Sequence, residues 1–183
     1  MILNTKTFKI MGVKLFNIKS FYDHRGKFSE VYLSNLNFPE FKVEYIQENE
    51  SISNYGVFRG MHFQKGKYSQ SKLIRVVRGE VIDVLYDLRK SSPSFKMIEE
   101  IKLKTNQMLY IPKGLAHGFL SLEDETIINY KCDNYYHSES QSGFNLLKSN
   151  LKFNSPIKPE KIILSEKDKL LPHFSESYIY NDL

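Results

Sequence analysis

The chain contains no tryptophan and one cysteine, Cys132. A single thiol rules out an internal disulfide, which fits a reducing compartment, and a buried strand residue is a simpler reading of it than a reactive nucleophile. No apolar run approaches the roughly 20 residues that a membrane helix needs, and the opening MILNTKTFKIMGVKLF lacks the unbroken apolar centre of a secretory signal. We expect a cytoplasmic protein with no membrane association. Linkers rich in Pro, Gly or Ser, internal repeats and low-complexity tracts are also missing, so residues 1–183 are expected to form one domain. A concentrated basic block is lacking too. The net charge of +5 is spread along the chain, which argues against nucleic acid and suits a small anionic ligand steered by a few cations.

What the chain does have is strand-forming sequence. In KLIRVVRGEVIDVLYDLR, residues 72–89, two β-branched runs flank Arg78, Gly79 and Glu80, and Gly79 can take the positive φ of a tight turn. A hairpin is expected there. QMLYIP, HGFLSL and TIINYKC add short strands, with Pro112, Lys113 and Gly114 turning between the first two. Helical signal is confined mainly to SEKDKLL, where Ser165 can cap a turn with Asp168 three residues later. Many short strands and little helix predict an all-β barrel or sandwich.

The segment YGVFRGMHF, residues 55–63, places Arg59 and His62 around a small, bendable centre in an apolar stretch. A histidine in such a run is commonly a hydrogen-bonded structural residue; the rival reading is an acid–base group in a cleft.

Seven motifs in order widen the view: DHRGKF from Asp23, QENES from Gln47, FRGMHFQ from Phe58, QSKLIRVVRGEVIDV from Gln70, YIPKGLAHGFL from Tyr110, NYKCDNYY from Asn129 and ILSEKD from Ile163. In this order they resemble the dTDP-4-dehydrorhamnose 3,5-epimerases, over residues 23–172. The resemblance implies a cupin-type jelly-roll β-barrel with short peripheral helices, paired as a homodimer through exchanged or abutting strands. It further implies a nucleotide-sugar substrate, a place in deoxysugar biosynthesis for surface polysaccharides, and no cofactor. Residues 1–12 lie outside it and are expected to form a flexible extension.

By the same resemblance His62 is the base, Asp168 fixes its tautomer, Lys72 sets a cation beside the enolate oxygen and Tyr130 returns a proton from the opposite face. Arg25 and Arg59 are implied as diphosphate ligands. Glu30, Gln47, Glu48 and Asn49 would line the sugar and nucleoside path, joined by His117, Tyr136, Gln141 and Lys167. Each has a plain alternative: Asp168 as part of a capping box, Lys72 as a strand-edge charge, Tyr130 as a half-buried aromatic, Arg25 as a turn residue and Glu30 as a solvated charge. A metal-binding cupin carries a His-x-His pair, a glutamate and a later histidine; here Phe63 and Gln64 follow His62, and only His117 matches, so no metal is expected. The chain departs from the pattern after Gly143, where the family has two tryptophans around an acidic stretch, and at Gln141, where the family has an acid. Both departures fall at the nucleoside end, and leave open inversion at C3 or C5 alone, or a silent sugar-binding cupin.

Overall fold

The computed structural model describes residues 2–33, 43–174 and 178–181. In chain order the strands are β1 (Ile2–Thr7), β2 (Lys14–Ile18), β3 (Ser20–Asp23), β4 (Gly26–Ser29), β5 (Gln47–Ser53), β6 (Phe58–Gln64) and β7 (Lys72–Arg78). They continue with β8 (Glu80–Asp87), β9 (Ile98–Lys104), β10 (Gln107–Ile111), β11 (Leu115–Ser121), β12 (Thr126–Cys132) and β13 (Gln141–Gly143), followed by one short helix, α1 (Glu166–Lys169). One sheet runs β1-β2-β10-β7-β12-β5 and the other β13-β6-β11-β8-β9, while β3 and β4 form a separate hairpin. Two facing antiparallel sheets make the expected jelly roll. Among the described residues no helix is long and apolar enough to cross a membrane.

Strand alternation assigns each side chain to a layer. Along β8, Val81 and Leu85 point into the space between the sheets, where they meet Ile74 and Val76 of β7, Leu109 of β10 and Phe119 of β11. Val84 and Tyr86 point the other way, into a second core with Phe58, Phe63 and Phe144 that is covered by the C-terminal segments around Phe153, Leu164 and Phe174. A third cluster, Phe16, Leu73, Met108 and Tyr110, lies on the outer face of the six-stranded sheet beneath Val31, Tyr32 and Tyr45. Burying side chains on both faces of the five-stranded sheet removes several kcal/mol worth of apolar surface from water per large residue pair, at about 1.5–3 kcal/mol for each side chain.

Two sequence expectations need correction. Gly79 does turn with φ +83°, and a Cβ there would meet Thr126 Oγ1 at 2.4 Å. The strands it joins are nonetheless not partners: β7 pairs with β10 and β12, and β8 with β9 and β11. The turn is a corner between sheets, because both runs supply apolar side chains to the same interior from opposite walls. The N-terminal residues expected to be a loose extension instead form β1, antiparallel to β2, and Ile10 is fully buried in the central core.

Candidate active site

The interior between the sheets is apolar around Leu85 and Ile128 and opens into a polar cleft. Its two adjoining lobes, of about 360 and 300 Å³, share His62, Lys72, Tyr130 and Gln141. The five-stranded sheet brings His62 on β6 to one wall, and the six-stranded sheet brings Lys72 on β7 and Tyr130 on β12 to the other.

How Arg59 and His62 both reach the cleft is a matter of register. Three residues apart on a regular strand, they would face opposite sides. In β6 the ladder with β11 slips: His117 lies opposite His62 and Phe119 opposite Arg59, so Gly60 and Met61 together oppose Gly118. This β-bulge turns His62 back to the side of Arg59. Glycine is required at both positions of the contact, since a Cβ on Gly60 would lie 2.5 Å from the Gly118 Cα.

His62 Nε2 and Asp168 Oδ1 are 2.7 Å apart. With Nε2–H donating to the carboxylate, Nδ1 keeps its lone pair and can take a proton. Asp168 is held by α1, whose N-terminus is capped by Ser165 Oγ accepting from the Asp168 N–H at 3.1 Å, and by Asn145 Nδ2 donating to the Asp168 carbonyl at 3.2 Å. Burial pushes the Asp168 carboxyl up, but the His62 hydrogen bond and charge, helped by Ser165 and the Gly60 N–H, outweigh it and leave the group below the ordinary carboxylate value. Across the cleft, loss of hydration lowers the Lys72 ammonium, with Cys132 and Asp83 opposing the shift, and burial raises the Tyr130 hydroxyl. Lys72 Nζ stands 5.9 Å from the centre of the Tyr130 ring.

Sequence reasoning missed Asp83. It is fully buried on β8 between Val81 and Leu85 and hydrogen-bonds Nε2 of His117, whose own imidazolium is disfavoured by burial, an effect Asp83 partly offsets. The signal was present, as an acid at an inward position of an otherwise apolar strand is the informative exception. Gln64 and Gln70, which also line the cleft, were likewise passed over.

The larger lobe adds Arg59, Lys167, His117 and Ser51 to the shared residues. Arg59 is tied to β5 by Nε to Ser53 Oγ and by an NH2 group to the Ile52 carbonyl, both at 3.0 Å, which fixes the guanidinium while leaving donors over. The smaller lobe is lined by uncharged amides, Gln47, Asn49, Gln64, Gln70 and Gln141, together with Tyr136. Gln141 enters because β13 pairs it with Gln64, and its Oε1 accepts from Lys167 Nζ and from the Tyr136 hydroxyl, each at 2.6 Å.

Three expected ligands are not in the cleft of their own chain. Alternation along β5 sends Gln47, Asn49 and Ser51 inward and Glu48 outward, where it pairs with Lys131 at 2.7 Å. Arg25 sits at the tip of the β3–β4 hairpin, exposed and paired with Asp23, and Glu30 is exposed just beyond β4. Among the described residues no three His, Cys, Asp or Glu side chains are grouped to hold a metal ion.

Residues 7–176 match the family model described as dTDP-4-dehydrorhamnose 3,5-epimerase. The enzyme of that name from Methanothermobacter thermautotrophicus is 38% identical, over 92% of this chain and 93% of its own. Among solved structures, the dTDP-4-dehydrorhamnose 3,5-epimerase of Elizabethkingia anophelis superposes with a TM-score of 0.87 at 35% identity, covering 95% of this chain and 97% of the other. That of Bacillus anthracis, solved with TDP and pyrophosphate bound, gives 0.87 at 37% identity over 93% and 99%. The jelly roll, the bulged strand with its histidine and the match along nearly the whole chain agree: this chain belongs to the dTDP-4-dehydrorhamnose 3,5-epimerase family.

Proposed function

We propose that the protein epimerises a nucleotide-diphosphate 4-keto-6-deoxy sugar at C3 and C5, on the route to dTDP-rhamnose or a related deoxysugar. The observation that carries this is the His62–Asp168 pair on one wall of a single cleft, with Lys72 and Tyr130 on the facing wall. A ketone at C4 acidifies the hydrogens at C3 and C5, because the carbanion left behind delocalises as an enolate onto the ketone oxygen. His62 takes the proton, Asp168 supports the imidazolium, the Lys72 ammonium faces the enolate oxygen and Tyr130 delivers a proton to the opposite face. Inversion needs a base and an acid on two sides, which a sugar-binding module does not. The negative charge that develops is met by Lys72, so the proposed steps draw on neither a metal nor a nicotinamide.

Arg59 and Lys167 suit the diphosphate, and the amide-lined lobe with Tyr136 suits the uncharged nucleoside or sugar. Arg25 and Glu30 act in the cleft of a second copy, in a homodimer built around the β3–β4 hairpin. That hairpin leaves Phe21, Tyr22 and Phe28 at 51%, 72% and 69% exposure, an apolar tip suited to burial against a partner. A nucleotide-activated substrate suits a cytoplasmic reaction.

The direct test is incubation with dTDP-4-keto-6-deoxyglucose in heavy water, with deuterium located by NMR. Label at both C3 and C5 of an inverted product is expected, and His62→Ala should lose at least about 10²-fold of the exchange. Label at one carbon alone would reduce the activity to a single-centre epimerase, and exchange at the wild-type rate in His62→Ala would remove the base from His62.

A further inference from the structure

Three glutamines of the smaller lobe turn most of their amide atoms toward the protein itself. Between the end of β12 and the turn at Ser138–Ser140, the chain from Asn134 to His137 belongs to no strand, and its backbone groups are met by side chains. Gln70 Nε2 donates to the Asn134 carbonyl at 2.7 Å and Gln64 Nε2 to the Tyr135 carbonyl at 3.2 Å. The Tyr136 N–H donates to Gln47 Oε1 at 2.9 Å and the His137 N–H to Gln64 Oε1 at 2.6 Å. Two further bonds engage the same amides: Gln64 Nε2 donates to the Tyr68 carbonyl at 3.0 Å and Gln47 Nε2 to Asn49 Oδ1 at 3.0 Å. Gln64 is only 6% exposed, so an unanswered amide or carbonyl at that point would be costly.

We propose that Gln47, Gln64 and Gln70 form an amide frame that takes the place of a neighbouring strand and positions Tyr136 over the cleft. The proposal rests on the reading of Tyr136 as a substrate contact. Each glutamine offers one donor group and one acceptor, so Gln64 alone clasps the backbone on both sides of Tyr136. Tyr136 itself is half exposed, and its hydroxyl reaches Gln141. Its ring is therefore set from both ends, the Cα by Gln47 and Gln64 and the hydroxyl by Gln141. Gln47, expected from the sequence to touch substrate, acts here first as a positioning residue. Neutral amides do not titrate, so the frame carries no pH dependence of its own.

Gln64→Leu removes both functions at similar volume, and Gln64→Glu keeps the acceptor for the His137 N–H while losing the donors to two carbonyls. Hydrogen exchange should rise at least about tenfold across residues 133–137 in Gln64→Leu, with β6 and β12 protected as in the wild type. The KM for the keto sugar should rise about tenfold with kcat within about twofold, and Gln64→Glu should fall between. On a Tyr136→Ala background Gln64→Leu should add nothing further to KM. Wild-type exchange at 133–137, or an equal KM increase with and without the Tyr136 ring, would overturn the frame. A Tyr136→Ala variant with wild-type KM would instead defeat the reading of Tyr136 as a contact, whatever the exchange data show. Should Gln64→Leu not fold, Gln70→Leu deletes the single bond to the Asn134 carbonyl and is judged by the same exchange and KM measurements.

Discussion

Asp168 answers to two descriptions at once, through different atoms. Its N–H is the group that Ser165 caps at the start of α1, and its carboxylate leaves the helix to bind His62. A capping box would have turned that carboxylate back on the helix. Because its folded pKa lies below the unfolded value of about 3.9, the pairing contributes stability above that pH and loses it as pH falls through the lowered folded value. Denaturation midpoints of the wild type and Asp168→Asn should therefore differ at neutral pH and converge as the pH drops below about 4. Tyr130 offers a cleaner division of labour. Tyr130→Phe removes the acid but leaves His62, so the enolate should still form and be reprotonated from its original face. Deuterium incorporation with retained configuration is the expected NMR result; inversion of both centres at the wild-type rate would move the acid elsewhere, with Tyr136 next in line.

The bulge in β6 is the element that makes the cleft. Gly60 and Gly118 let the two histidine-bearing strands approach, and a Cβ on Gly118 would lie 2.9 Å from both the Arg59 carbonyl and the Phe58 ring. Gly118→Ala should cost about 1–3 kcal/mol by denaturant titration, since neither backbone nor ring can yield freely. It should also lower kcat by up to about 100-fold, because His62 sits three residues along the displaced strand and a shift near 1 Å misaligns the base. Strands were legible at this scale because β-branched runs are local, as in LIRVV and VIDVL; their pairing was not, because sheet membership depends on distant partners. Alternation along QENES would have set Glu48 apart from Gln47 and Asn49 without any structure. The inward side of His62 could not be read that way, since the slipped register shows only in the ladder with β11. His62, Lys72, Tyr130 and Asp168 were reachable through the ordered motifs, whereas Asp83 belongs to none of the implied roles and shows itself only as an acid at an inward position of an apolar strand.

At the scale of the whole molecule, Arg25 lies on a hairpin that joins neither main sheet, with Glu30 just beyond it, and a homodimer sharing this hairpin would make a distinctive demand. Arg25→Ala should raise KM about tenfold although the residue is outside its own cleft. When it is mixed with His62→Ala and the subunits are exchanged, half the dimers are hybrids, and each hybrid holds one cleft with an intact His62 and an intact Arg25. About a quarter of the wild-type sites should then return with wild-type KM. Sedimentation should show a dimer throughout, and failure to recover wild-type KM would place Arg25 in its own cleft or out of the reaction.

His62 and Asp168 are 106 residues apart in the chain, one on the sixth strand and the other on α1, the only α-helix among the described residues. A ribosome must therefore release all thirteen described strands before the base meets its carboxylate. Until then His62 has no carboxylate to set its tautomer, and the cleft also lacks Lys167. Orienting the base is among the last things the fold acquires, so a chain ending before α1 would lack the partner that aims its histidine.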